Sequence, residues 1–167
     1  MKRIVFAIAI VAASFAANAQ DGKTSFGGGL RLGLPVGDFG DAYGFGIGAE
    51  LQGEHHFSSN VSGTLTTGYM HFSGKDYEIP GIGKVEGSSF GYVPVLAGIR
   101  VYPSTSFFIG GKAGLSFYTS AGGGSAFTYE PQVGYNAQKF QLALGYQAQS
   151  DEGTTGHLGL TAIFKFN

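Results

Sequence analysis

Apolar and polar positions alternate with period two along most of the chain. The pattern is clearest over residues 156–166, GHLGLTAIFKF. There Leu158, Leu160, Ala162, Phe164 and Phe166 share one face of a strand, and His157, Gly159, Thr161, Ile163 and Lys165 share the other, because strand side chains alternate. A lysine between two phenylalanines suits a strand with hydrocarbon on one side and a polar lumen on the other. Seven earlier segments read the same way, at 25–35, 43–57, 61–73, 90–102, 107–118, 126–136 and 139–149. In these, rows such as Leu30, Leu32, Leu34, then Ile47, Ala49, Leu51, then Leu142, Leu144, Tyr146 form the outward face. Arg31, Glu50, Gln52, Glu54, Arg100, Lys112, Glu130 and Gln132 fall on the inward one, with His56, Gln141 and Gln147. Two places break the rhythm. Tyr102 is out of phase with the Val93, Val95, Val101 row in a segment that contains Pro94. Pro131 removes a ladder donor from its own segment. A β-bulge is expected at each.

The N-terminus changes the picture. Lys2 and Arg3 precede an apolar run from Ile4 to Ala17, followed by Ala17-Asn18-Ala19. A charged start, a short apolar stretch and a small-x-small site predict a signal peptide over residues 1–19, leaving one mature domain at 20–167. No other apolar run approaches the about 20 residues that a spanning helix needs. A membrane chain without spanning helices must be a closed barrel, since every backbone polar group needs a partner in lipid. The expected fold is therefore all-β: an eight-stranded antiparallel up-and-down transmembrane barrel following a cleaved leader.

Composition agrees. The chain has 30 Gly, 14% aromatic and only 13% charged residues, with a formal net charge of −1. With no basic cluster, no nucleic-acid partner is expected. The absence of Cys excludes disulfides and thiolate metal sites. Connections alternate between longer Gly- and acid-rich links, at 38–41, 74–87, 119–125 and 150–155, and short ones, at 58–60, 103–106 and 136–138. Aromatic residues gather at the short-turn ends, as Phe26, Phe57, Tyr102, Phe107, Tyr135, Phe140 and Phe166. At the loop ends lie Tyr43, Tyr69, Phe117, Phe127 and Tyr146. Two girdles of this kind match two membrane interfaces.

The chain resembles the small eight-stranded outer-membrane barrels of the OmpA/OmpX type, and in particular the compact Bacteroidetes-style barrel domains. The residues that carry this are Gly29-Leu30-Arg31-Leu32-Gly33-Leu34-Pro35 with Gly37-Asp38-Phe39, Tyr135-Asn136 before the turn into Phe140-Gln141-Leu142, and the aromatic-ended last strand. The resemblance implies an integral outer-membrane location, contact with outer-membrane lipid and lipopolysaccharide, and insertion by the barrel-assembly machinery. In that family the last strand normally ends in Phe; here Asn167 follows Phe166.

An eight-stranded barrel is just wide enough for its side chains to fill, and buried charges are tolerated only when paired. Arg31, Arg100, Lys112 and Lys165 against Glu50, Glu54 and Glu130, with Gln52 and Gln132, are thus expected to form a salt-bridged plug. The expected role is structural or surface-interacting, non-enzymatic, monomeric and without cofactor or metal. The longest loop, from Gly74 to Gly87, is the best candidate for contact with a surface partner.

Three alternatives stand beside this reading. One is a narrow channel. Another is a rim hydrolase built on His71 and Ser73, with Asp76 or Glu78 as carboxylate, similar in kind to the outer-membrane lipid A deacylases. The third is a soluble ligand-binding barrel with the two faces exchanged. His55 and His56 point to opposite faces and cannot chelate one ion. The glycine runs at 27–29 and 122–124 lack the Lys-Ser/Thr of a phosphate loop.

Overall fold

A computed structural model of the protein describes residues 24–79, 83–85, 87–119, 123–151 and 153–166. The expected signal peptide lies outside them. The elements are β1 (Thr24–Val36), α1 (Asp38–Ala42), β2 (Tyr43–His56), β3 (Val61–Gly74), β4 (Tyr77–Ile79), β5 (Gly83–Val85), β6 (Phe90–Ser104), β7 (Phe107–Tyr118), β8 (Ser125–Asn136), β9 (Phe140–Ser150) and β10 (Thr154–Lys165).

Eight of the strands form a closed barrel in the order β1-β10-β9-β8-β7-β6-β3-β2. It is sealed by antiparallel pairing of β1 with β10, from Gly27↔Lys165 to Val36↔Gly156. Every sequential barrel pair is antiparallel, so the topology is up-and-down. Strands of 11 to 15 residues exceed the about 9–11 that a tilted strand needs to cross a bilayer.

Alternation sorts the side chains. Leu30, Ile47, Leu51, Ile99, Ile109, Leu144 and Phe164 are exposed on the outer wall, Leu30 by 61%. Arg31, Glu50, Glu54, Arg100, Lys112 and Glu130 are buried inside, none more than 5% exposed. A soluble barrel places its apolar residues the other way round, because burying them is the main force for folding in water. Apolar outside and charged inside is the arrangement for hydrocarbon.

Gly33 and Gly46 have a packing reason to be glycine. A Cβ at Gly46 would stand 2.4 Å from the Phe72 ring, and one at Gly33 would stand 2.9 Å from it. The two glycines make the space into which Phe72 folds, fully buried. Gly46→Ala is expected to displace that ring and lower stability by about 1–3 kcal/mol, as overpacking does. Urea unfolding of the barrel in lipid vesicles would measure it.

Several expectations are corrected by the register. Pro94 causes no bulge; the break expected in β6 lies instead beside Tyr102, where pairing with β7, continuous from Tyr92↔Tyr118 to Val101↔Ile109, shifts between Val101 and Ser104. Tyr102 simply keeps the inward phase of Arg100 and is 3% exposed, so it belongs to the interior and not to a girdle. Pro131 causes no bulge either. β8 and β9 hold one register on both sides of it, Tyr129↔Ala148 and Gln132↔Gly145, with the pairing interrupted at Glu130 and Pro131. A bulge does appear where none was expected, between Tyr43 and Gly46 on β2. It shifts Tyr43 out of the Phe45, Ile47 row and onto the cluster around Phe39, so Tyr43 leaves the girdle too. The 38–41 link is a short helix, and the 74–87 loop carries a small β4-β5 hairpin. The last link, expected at 150–155, is shorter than the others at the loop end, because β9 runs to Ser150 and β10 begins at Thr154.

The other girdle residues face outward. Phe57, Phe107, Tyr135, Phe140 and Phe166 are exposed at the turn end, and Tyr69, Phe127 and Tyr146 at the loop end. Phe26 and Phe117 are half-buried.

Candidate functional site: the barrel interior

Six buried charges meet inside the barrel in two clusters. Near mid-height, Arg31 of β1 donates from Nη2 to Glu130 Oε2 of β8 at 2.9 Å and from Nη1 to Glu50 Oε2 of β2 at 3.2 Å. It also reaches Thr161 Oγ1 of β10 at 3.2 Å. Lys112 Nζ of β7 donates to Glu50 Oε1 at 3.0 Å and lies 3.7 Å from Glu130 Oε1. Two cations thus face two carboxylates, and the cluster is neutral. Register explains why they converge: Lys112 stands opposite Glu130 across β7-β8, and Arg31 stands opposite Thr161 across β1-β10.

Toward the turn end, Arg100 of β6 organises the second cluster. Its Nη1 donates to Glu54 Oε2 at 3.0 Å and Gln141 Oε1 at 3.1 Å, and its Nη2 donates to Gln52 Oε1 at 2.8 Å. Gln132 Oε1 lies at 3.4 Å from the same Nη2. Glu54 also accepts from Ser62 Oγ at 2.6 Å, from Gln141 Nε2 at 2.8 Å and from the Tyr102 hydroxyl. The Arg100 guanidinium sits 4.2 Å from the centroid of the Phe108 ring, a cation–π contact. One carboxylate with five protein donors, Gln52 Nε2 at 3.5 Å among them, and one guanidinium with four amide or carboxylate acceptors satisfy most of what burial takes from water.

Lys165, expected within this network, stands apart at the turn-end mouth. It is half-buried and donates from Nζ to Asn136 Oδ1 at 2.6 Å and to the Ala137 carbonyl at 2.9 Å. With Lys165 at the edge, the deeply buried groups balance: Arg31, Lys112 and Arg100 against Glu50, Glu130 and Glu54. His56 lies on the same face, 3.8 Å from Glu54 Oε1. His55 turns outward, its ring 5.4 Å from Phe57, so the two histidines do diverge.

At the loop end the interior becomes apolar and aromatic. Phe39 of α1, Met70, Phe72 and Tyr92 form one buried cluster, with Tyr43, Phe90 and Tyr118 packed against it. Below it Gln147 Nε2 donates to the Tyr92 hydroxyl at 2.9 Å, and that hydroxyl lies 3.5 Å from His157 Nε2. Alternation already puts Phe72, Tyr92, Phe108 and His157 on inward positions. Phe39 comes from a loop, and nothing in the periodicity points to it.

His71 and Ser73 share the outer face at the loop end. The His71 ring stacks on Tyr69, centroids 6.4 Å apart and planes 25° apart. Among the described residues no hydrogen bond joins His71 to Ser73. No group of three or more His, Asp or Glu side chains that could hold a metal is present among them.

Tyr102→Phe separates an interior position from a girdle one. It is expected to cost about 0.5–1.5 kcal/mol, the net worth of one hydrogen bond, with more for a charged acceptor. A lipid-facing tyrosine would change stability by less than half that, as surface changes do. Equilibrium unfolding in vesicles distinguishes the two.

No family model matches the chain, and no curated protein does. Solved structures do. Ail, the attachment invasion locus protein of Yersinia pestis, superposes with a TM-score of 0.58 at 16% identity, covering 86% of this chain and 97% of Ail. The N-terminal β-barrel domain of Pseudomonas aeruginosa OprF gives 0.51 at 14%, covering 86% and 98%. A de novo designed transmembrane β-barrel gives 0.52 at 12%, covering 86% and 95%. At such identities the likeness is one of fold. With its closed eight-stranded antiparallel wall, apolar outside and ion-paired inside, the chain has the fold of the small eight-stranded outer-membrane β-barrels.

Proposed function

We propose that this protein is an integral outer-membrane barrel with a structural or surface-interaction role, non-enzymatic, its lumen filled rather than open. The observation that supports this best is the interior charge balance. Arg31, Lys112 and Arg100 are each within 3.2 Å of a carboxylate oxygen, at most 5% of any of these side chains being exposed. Moving an ion through that centre would require breaking pairs that burial makes costly to break. The outer wall is a belt of exposed Leu, Ile and Phe, which suits lipid contact, and the partner-facing surface is then the loop end, with the β4-β5 hairpin its most prominent feature.

Two measurements test the reading. The outer-membrane fraction, run on SDS gels with and without boiling, is expected to show a band that changes mobility only on boiling, as a closed barrel resists cold SDS. Recovery of the chain in the soluble periplasm without such a shift would falsify the membrane reading. In planar bilayers the purified barrel is expected to give no steady conductance; discrete single-channel steps would favour the channel instead.

A further inference from the structure

We propose that α1 is a lid over the loop end of the barrel, latched by Lys75, and that it controls access of water-soluble molecules to the interior. The proposal rests on the filled-barrel reading and adds which part of the fold closes the loop-end mouth.

The lid is built around one ring. Phe39 is 7% exposed although it sits on a five-residue helix in a loop. Its ring centroid lies 4.8 Å from Tyr43, 5.1 Å from Phe72 and 5.8 Å from Phe90, the last two edge-on. Beneath it, Phe72 contacts His157 at 5.1 Å and stacks on Tyr92 at 6.4 Å. Among the described residues Phe39 thus caps the aromatic layer over the polar interior that begins at Tyr92, His157 and Gln147.

The lid is also hinged. At its start Gly37 adopts φ 61°, a conformation that favours glycine, and no side-chain bond caps the helix. At its end the β-bulge between Tyr43 and Gly46 interrupts the pairing of β2 with β3. Five residues between two such points make little helical hydrogen bonding of their own, so the seating of Phe39 and the bonds to neighbouring loops hold α1 down.

Two of those bonds come from Lys75. Lys75, on the link between β3 and the hairpin, donates from its backbone N–H to the Ala42 carbonyl at 3.0 Å and from Nζ to the Gly40 carbonyl at 2.5 Å. Lys75 is exposed, and the β4-β5 hairpin begins two residues later. A contact made on the hairpin is therefore mechanically joined to the lid, and drawing Lys75 away removes the ammonium bond to α1.

The absence of native Cys makes the test direct. A single Cys is placed under the lid as Met70→Cys, with Gln147→Cys as a second, deeper probe. Each is reacted with a water-soluble cationic methanethiosulfonate in folded vesicle-bound barrel, against an exposed reference, Thr154→Cys. Gel mobility without boiling confirms that each variant is folded, which keeps failure of the lid separate from failure of the barrel. The Met70→Cys probe is expected to react far more slowly than the reference. Adding Lys75→Ala should speed it by about three- to tenfold, the range that losing one hydrogen bond allows, and adding Phe39→Ala should speed it further. Equal rates with and without Lys75→Ala and Phe39→Ala would overturn the proposal. So would a Met70→Cys probe that reacts as fast as Thr154→Cys in the parent barrel.

Discussion

Arg31→Met is expected to destabilise the folded barrel by about 3–5 kcal/mol, the cost of leaving a buried charge without its partner. Arg31 is the hub of the mid-height cluster: its guanidinium bonds Glu130 at both oxygens, at 2.9 and 3.1 Å, and Glu50 at 3.2 Å. Without it the two glutamates keep a single cation, Lys112, and one of them is left uncompensated in a site nearly closed to water. The loss should appear as a lower urea midpoint in lipid vesicles and as a mobility shift that disappears at a lower temperature. A second substitution separates charge from volume. Arg31→Met with Glu130→Gln restores neutrality, because Lys112 then faces Glu50 alone, and is expected to recover a large part of the loss. If Arg31→Met costs less than about 1 kcal/mol, the level of an exposed pair, water reaches the cluster and the lumen is not filled as proposed.

Leu144→Arg is expected to cost about 2–4 kcal/mol, the depth-dependent penalty for a cation facing hydrocarbon near the bilayer centre. Leu144 lies in the middle of β9, paired with Val133 and Leu160, and is 52% exposed. This result discriminates sharply between environments. On a soluble barrel an exposed Leu replaced by Arg changes stability within about half a kcal/mol. Insertion yield into vesicles and urea unfolding would both report it. Leu144→Phe, which keeps the face apolar, serves as the control and is expected to stay close to the parent.

Alternation of residue types is enough to place most of the interior. With a period of two, one observation such as Arg31 among Leu30 and Leu32 assigns every other residue of that strand. Closure then follows, because an open edge in hydrocarbon leaves backbone groups unpaired. Eight strands are legible from turn residues between the segments, and their ends move by no more than about two residues, the ordinary uncertainty of element boundaries.

The same rule fails wherever the register slips. A bulge reverses the faces on one side of it. At Tyr43 the slip turns an apparent girdle residue onto the Phe39 cluster. At Tyr102 an aromatic at a strand end resembles a girdle residue, yet it keeps the inward phase of Arg100 up to the register shift beyond Val101 and bonds Glu54. Proline invites the same error, since Pro131 interrupts pairing on one side without adding a residue to the strand.

Periodicity alone sets the wall: which residues face outward, which charges face in, and that these nearly balance. Strand periodicity is local, so it survives without knowledge of neighbours. Which charges pair depends on closure of the sheet, since Arg31 and Glu130 are 99 positions apart and meet through its curvature. The folded barrel also places Phe39 over the interior, because a loop side chain has no period to read and its position is set by the space that Gly33 and Gly46 leave for Phe72 beneath it.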